Sequence, residues 1–171
     1  MTIPRILELK KIGQHYFTTM RPVSMKSLKT SSELFTGNKI RLQTPAKIDL
    51  NISDLQTCTF IFSNSSGQEL RVGFDEAKNA FFVDRTKAGK SDFDPQFAAI
   101  HYAPRIAKSK KSNLTLLLDN SSLELFAVDG LTCMTEIFFP DQPFNDWLIE
   151  GNPKLFEAVQ INELKSIWPP H

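Results

Sequence analysis

Glycine is scarce in this chain, seven residues in 171, and no Gly-rich loop precedes a helical segment. Phosphate cradles and dinucleotide folds, which need backbone close to a pyrophosphate, are excluded on that ground. The three histidines, at 15, 101 and 171, lie far apart with no i, i+4 pairing and no neighbouring cysteine. A dedicated zinc site wants three or four ligands at tight spacing, so neither a metal nor another cofactor is expected. No Gly-x-Ser-x-Gly elbow occurs. The serines gather in turn clusters such as Ser65-Ser66 and Ser121-Ser122, where capping a turn is their ordinary role.

Long apolar runs are missing too; none approaches the ~20 residues of a membrane span, so no membrane partner is expected. Met1 is followed by Thr-Ile-Pro-Arg rather than a basic start and an apolar core. The sequence is therefore expected to begin after any export signal, or never to have had one. Charge of one sign is absent as well, with a net of +1, which argues against a nucleic-acid partner. The one basic cluster, Lys108-Ser109-Lys110-Lys111, reads as a solvated loop. Cys58 and Cys133 both sit in strand-like runs. Free buried thiols are the favoured reading and a sheet-to-sheet disulfide the alternative.

What the chain does have is phenylalanine, fourteen against two Tyr and two Trp. Phe offers a large apolar ring with no polar tip to satisfy, which suits the space between two packed sheets. Period-two patterning recurs along the sequence. In Ala46–Ile52, alternate residues Ala46, Ile48, Leu50 and Ile52 are apolar, as a half-buried strand requires. Residues 57–63 and 69–74 flank Asn64-Ser65-Ser66-Gly67, a hairpin pattern, and residues 80–85 follow a further turn. Residues 113–118, 122–128 and 131–139 read as three consecutive strands, with Pro140 as the stop. Asp129-Gly130 between the last two is a strong hairpin signal, because a two-residue type I′ turn needs positive φ at both centres.

Less regular stretches separate these runs. Residues 6–10 and 15–20 look extended around a turn at Gly13. Pro22 opens residues 23–34, whose loose apolar spacing predicts one short helix. Residues 87–105, with Gly89, Pro95 and Pro104, read as a long irregular excursion. Residues 154–161 and 163–167 supply one or two final strands. Many short strands with frequent turns give an all-β, two-sheet antiparallel β-sandwich of lectin-like type, with a short N-terminal connector helix. Residues 1–34 hold the end of a preceding region and the connector, and residues 35–171 the sandwich.

Carboxylate pairs are the one catalytic possibility left by composition, since glycosidic hydrolysis needs two of them across a cleft. The candidates are Asp84, Asp92, Asp94, Asp119, Glu124 and Asp129. Each has a plainer explanation. Asp84 lies beside Arg85 at a strand end, Asp119 and Asp129 flank turns, and Glu124 alternates with Leu123 and Leu125.

Several segments, taken in order, resemble the C-terminal part of glycoside hydrolase family 32. Thr2-Ile3-Pro4-Arg5-Ile6-Leu7 is similar to the family's Thr-Ile-Pro-Arg-Glu-Leu, with Ile6 in place of Glu. Arg21-Pro22-Val23 resembles the start of its interdomain connector. Phe82-Val83-Asp84-Arg85-Thr86 with Gly89 resembles Val-Asp-Arg-Ser/Thr…Gly. Asp119 through Gly130 resembles Asp-Arg-Ser-Ser-Val-Glu-Val-Phe-x-x-Asp-Gly, with Asn120 in place of Arg. Thr135-Glu136-Ile137-Phe138-Phe139-Pro140 fits the strand that follows. The resemblance covers nearly the whole chain.

That resemblance implies a β-sandwich packed on an N-terminal catalytic β-propeller. The propeller's catalytic motifs, Asn-Asp-Pro-Asn-Gly, Glu-Cys and Arg-Asp-Pro, do not occur here, so no catalytic residue is carried over. The implied role is non-catalytic: to stabilise the propeller and to shape its cleft or a subunit interface. Pro4, Arg5, Asp84, Arg85, Asp119, Ser122, Glu124, Phe126 and Gly130 match motif positions and are assigned structural roles, with Asp84-Arg85 and Ser122-Glu124 pairing across strands. The alternative is an autonomous fructan-binding module, in which Trp147 beside Asn145 and Asp146 is the carbohydrate contact; the favoured reading of Trp147 itself is a buried edge of the sandwich or a propeller contact. The expected partners are the propeller and a fructan or sucrose ligand, with weak self-association of the isolated module. The family has secreted and cytosolic members; secretion or a periplasmic location is favoured.

Overall fold

A computed structural model describes residues 2–107 and 109–166. A hairpin comes first: β1 (Arg5–Ile12) pairs antiparallel with β2 (His15–Pro22) around Gly13 and forms a separate two-stranded sheet. Twelve strands follow: β3 (Glu33–Leu34), β4 (Lys39–Arg41), β5 (Ala46–Ile52), β6 (Cys58–Ser63), β7 (Glu69–Asp75), β8 (Ala80–Lys87), β9 (Ile100–Pro104), β10 (Ser112–Leu118), β11 (Ser122–Ala127), β12 (Thr132–Ile137), β13 (Asp146–Glu150) and β14 (Phe156–Glu163). They build two six-stranded antiparallel sheets, ordered β12-β11-β10-β5-β14-β3 and β4-β13-β6-β7-β8-β9. The expected two-sheet sandwich is what the chain forms.

Patterning explains the layers. Ala46, Ile48, Leu50 and Ile52 of β5 are buried, while the residues between them are more exposed. Leu114, Leu116 and Leu118 of β10 and Leu123, Leu125 and Ala127 of β11 complete the first inner face. From the second sheet come Phe60, Phe62, Leu70, Val72, Phe81 and Val83. The phenylalanines fill the gap as expected: Phe60, Phe62, Phe74, Phe81, Phe138 and Phe144 are almost wholly buried.

The predicted connector helix is absent. Residues 23–34 contain a single 3-10 turn, Lys26–Leu28, followed by β3. Their backbone groups bond across to the first sheet instead of along a helix. Thr30 N–H donates to the Glu163 carbonyl at 2.9 Å, Lys165 N–H donates to the Leu28 carbonyl at 2.7 Å, and Lys29 bridges Leu164. A segment of scattered Lys and Ser lacks the apolar stripe that makes a helix pay its ordering entropy. Lying as a strap over β14 satisfies the same groups.

Other elements change or narrow the reading. The segment expected to be irregular contains β9, an edge strand paired with β8. β13 was not anticipated. The tail forms one strand, β14, ending at Glu163, and Ile167 of the second proposed piece lies outside the described residues. The β11–β12 connection also differs from a two-residue turn. Ala127 pairs with Thr132, so the loop runs from Val128 to Leu131 with positive φ at Val128, Asp129 and Gly130.

Candidate functional site

The hairpin β1–β2 lies against the outer face of β11 and β12, and one carboxylate organises the contact. Along β11, Leu123, Leu125 and Ala127 point into the sandwich, so Ser122, Glu124 and Phe126 point outward. Glu124 is nonetheless only 4% exposed, because the N-terminal segment covers it. Arg5 Nη2 donates to Glu124 Oε2 at 2.7 Å and to Thr135 Oγ1 at 2.7 Å. The Ile3 backbone N–H donates to Glu124 Oε1 at 2.7 Å. The guanidinium carbon lies 5.3 Å from the Phe126 ring centroid. Both carboxylate oxygens are thus engaged by charge-assisted or main-chain donors, and the burial of Glu124 strengthens those bonds. Pro4 contributes through its carbonyl, which accepts the Val23 N–H at 3.1 Å.

A second anchor lies at the β11–β12 loop. Met20 N–H donates to the Gly130 carbonyl at 2.8 Å. Gly130 has φ of 83°, and a Cβ there would collide with the Met20 backbone. Glycine is required here twice over, by its dihedral and by the close approach of β2. Asn113 holds the loop from the other side, donating to Asp129 Oδ1 at 2.6 Å and accepting the Asp129 N–H at 2.8 Å. Lys10 Nζ adds an exposed ion pair with Asp129 at 3.6 Å.

Asp84 and Arg85 do not pair with Ser122 and Glu124. Asp84 Oδ1 accepts from the Thr86 N–H and hydroxyl at 2.9 and 2.6 Å, closing a local turn. Arg85 crosses to β12: Nη1 donates to the Ile137 carbonyl at 3.0 Å and Nε lies 3.5 Å from Glu136 Oε2. His101 Nδ1 meets Glu136 Oε1 at 2.8 Å, so Glu136 joins the edges of the two sheets. Sequence reasoning assigned no role to Glu136, His101, Thr135 or Asn113. For Glu136 a signal was present: alternation with Thr132 and Met134 puts a carboxylate at a core-facing position, which demands partners. Asp119 Oδ1 accepts the Asn120 N–H at 2.8 Å, and its own N–H donates to the Ser122 carbonyl at 2.9 Å. Asn120, which stands where the family motif has Arg, accepts instead from the Thr44 hydroxyl at 2.7 Å. Ile6, the other departure, pairs with Arg21 in the hairpin and is half-exposed.

The proposed carbohydrate contact is overturned by burial. Trp147 is 0% exposed and lies among Phe35, Phe60 and Phe62, with ring centroids 5.4, 6.1 and 6.3 Å away. Its place on β13 faces it inward, and no saccharide can stack on it. Asp146, its neighbour on β13, points to the opposite face. Nor do the acidic candidates converge. Asp84, Asp94, Asp119, Glu124 and Asp129 are each held by a separate local partner. Among the described residues no group of three or more His, Cys, Asp or Glu could hold a metal.

Both cysteines are free. Burial pushes the Cys58 thiol up to about 11, against a smaller downward pull from a hydrogen bond with the Phe74 backbone. Cys133, on the outer face of β12 under the hairpin, is also raised by burial, with Arg5 opposing and Glu124 adding to the shift. The basic loop is solvated at Lys110 and Lys111; Lys108 lies outside the described residues.

Comparison with known proteins gives this arrangement a context. The family model described as "Glycosyl hydrolases family 32 C terminal" matches residues 9–161. The chain belongs to that family. The extracellular exo-inulinase of Aspergillus awamori is 32% identical over 158 residues, covering 82% of this chain and 29% of that protein. A levanase of Bacillus subtilis (strain 168) is 26% identical over 98% of this chain and 27% of its own length. The crystal structure of the A. awamori exo-inulinase superposes with a TM-score of 0.83 at 26% identity, covering 98% of this chain and 36% of that one. A β-fructofuranosidase from Schwanniomyces occidentalis shares the fold, with a TM-score of 0.74 at 18% identity. The chain therefore spans between 27% and 40% of the length of these relatives.

Proposed function

We propose that this family 32 C-terminal domain is the non-catalytic β-sandwich of a fructan- or sucrose-acting glycoside hydrolase, and that it supports a catalytic β-propeller preceding it in the parent polypeptide. One observation carries the reading. The hairpin is clamped to the sandwich through Arg5 and Glu124, yet it holds Leu7, Leu9 and Tyr16 more than 60% exposed. A two-stranded hairpin is marginal by itself, and a row of exposed apolar side chains on it suits a partner surface. Residues 1–34 then represent the end of the preceding region with its connector, and 35–171 the sandwich proper. β3 stitches the end of the connector to β14.

The chain by itself is assigned no turnover, because its carboxylates serve local contacts rather than a shared cleft. Likeness to relatives named extracellular exo-inulinases supports export of the parent. The purified chain should leave sucrose, inulin and levan intact. In the parent polypeptide, deleting the sandwich should lower the melting temperature of the catalytic domain. Hydrolysis by the chain alone at ordinary enzymatic rates, or a catalytic domain indifferent to the deletion, would overturn the proposal. Exposed apolar residues on the hairpin also lead to weak self-association, seen as a rise in apparent mass across a light-scattering concentration series. A strictly monomeric profile counts against it.

A further inference from the structure

We infer that the supported catalytic domain also docks on an aromatic ledge at the open side of the sandwich, formed by Phe93, Phe139 and Ile137. This deepens the reading proposed above and rests on it. The ledge is built where the two sheet edges, β9 and β12, come together. The loop after β8 folds back so that Phe93 lies 4.6 Å from Phe97 and 5.7 Å from Phe139, and Phe97 stacks on Phe139 at 5.6 Å. Gly89 permits this fold. Its φ is 116°, a Cβ would collide with the Phe139 carbonyl, and the next residue, Lys90, donates its N–H to that carbonyl at 2.8 Å. Arg85 covers Phe97, its guanidinium 4.1 Å from the ring centroid, while it bonds the Ile137 carbonyl.

The loop is thus held against the segment that follows β12, by the Lys90 N–H at its start and by the Phe97 ring farther along, and the cost of ordering it is met within the chain. Yet Phe93 stays 56% exposed, Ile137 49% and Phe139 43%. Apolar surface presented by a rigid, well-bonded loop is what a docking surface needs, since little further entropy is lost on contact.

The occupant follows from position and area. Ile137 lies on the outer face of β12 two residues beyond Thr135, and Thr135 is held by Arg5. Residues i and i+2 of a strand are about 7 Å apart on one face, so the ledge begins beside the point where the N-terminal segment meets the sandwich. The family model is of a C-terminal region, and this chain corresponds to 36% of the exo-inulinase chain. The remainder of such a protein comes in through that segment. The hairpin face alone is too small for it. Even a whole aromatic side chain buries only ~150–250 Å², so the exposed parts of Leu7, Leu9 and Tyr16 together present less than about 450 Å², short of the ~600–1,500 Å² of an interdomain contact. Adding the ledge brings the surface into range.

The test uses Phe93→Ser combined with Ile137→Lys, placed both in the parent polypeptide and in the 171-residue chain alone, with melting followed by calorimetry. The expected result is a catalytic-domain transition lowered by about 5 °C in the parent, with the isolated chain, which loses only the Phe93 ring contacts, shifted by no more than about 2 °C. An unchanged parent, or an isolated chain that loses as much, overturns the inference. The sandwich-deleted parent separates the two levels. If deletion lowers the transition and the double substitution does not, only the ledge fails; if deletion changes nothing, the supporting role fails with it.

Discussion

The sandwich and the hairpin are held by different physics. Between the two sheets, some thirty buried apolar side chains meet in one cluster, and area removed from water dominates. Under the hairpin, Ile12 and Phe17 add apolar packing against that cluster, but the contact is oriented by a carboxylate, a guanidinium, two main-chain bonds and a glycine. Burial is non-directional and gives stability; the polar anchor is directional and fixes the angle at which β1 and β2 leave the sandwich. A module that must hold a neighbour in one orientation needs both.

Removing a core ring should have the largest effect. Trp147→Ala is expected to cost ~3–5 kcal/mol of global stability, seen as a drop in the urea midpoint; a loss below about 1 kcal/mol would mean that the ring is not in the core. Glu124→Gln should cost less, about 2 kcal/mol, and the loss should be confined to the hairpin. Amide exchange would then rise in β1 and β2 and stay unchanged in β10 and β5. A uniform rise across the sandwich would erase the distinction between the two regions.

The thiols sharpen the comparison further. With its pKa raised to about 11, Cys58 is thiolate in roughly one molecule per thousand at pH 8, and only the thiolate reacts. Alkylation of Cys58 should therefore be negligible near neutral pH and climb as pH approaches 11. Cys133 should label sooner, and Glu124→Gln should accelerate Cys133 alone, because only the hairpin need lift. Equal acceleration at both thiols, read by mass spectrometry, would contradict this. The smallest effect is expected for Lys10→Met, which removes an exposed pair worth no more than ~0.5 kcal/mol; a larger shift in melting would mean that the loop anchor has been underrated.

Strands with one buried face were legible in the sequence, because a period of two survives any tertiary context. Ala46–Ile52 is an example. β9 and β13 were not, for different reasons. β9 carries Ile100, His101 and Tyr102 exposed at a sheet edge, so it shows no alternation. β13 follows a Pro-rich turn, and Trp147, favoured as a buried edge of the sandwich, was not assigned to a strand. The strap over β14 was misread as a helix because its hydrogen-bond partners lie more than a hundred residues away.

The site was legible only in its parts. Arg5 and Glu124 were both picked out through motif positions, but their union spans 119 residues of sequence. Neither periodicity nor turn chemistry reaches that far. Asp84 and Arg85 were singled out together, yet one closes its own turn and the other reaches to Glu136. Adjacent residues on a strand point to opposite faces, which already argued for separate partners.

The most direct test of a rigid sandwich carrying a separately anchored hairpin is native-state hydrogen exchange on the unmodified chain. Amides of β1 and β2 should exchange at least about a hundredfold faster than those of β10 and β11, a gap of ~2.7 kcal/mol in opening free energy. Equal protection in all four strands would contradict it, and would make hairpin and sandwich a single cooperative unit.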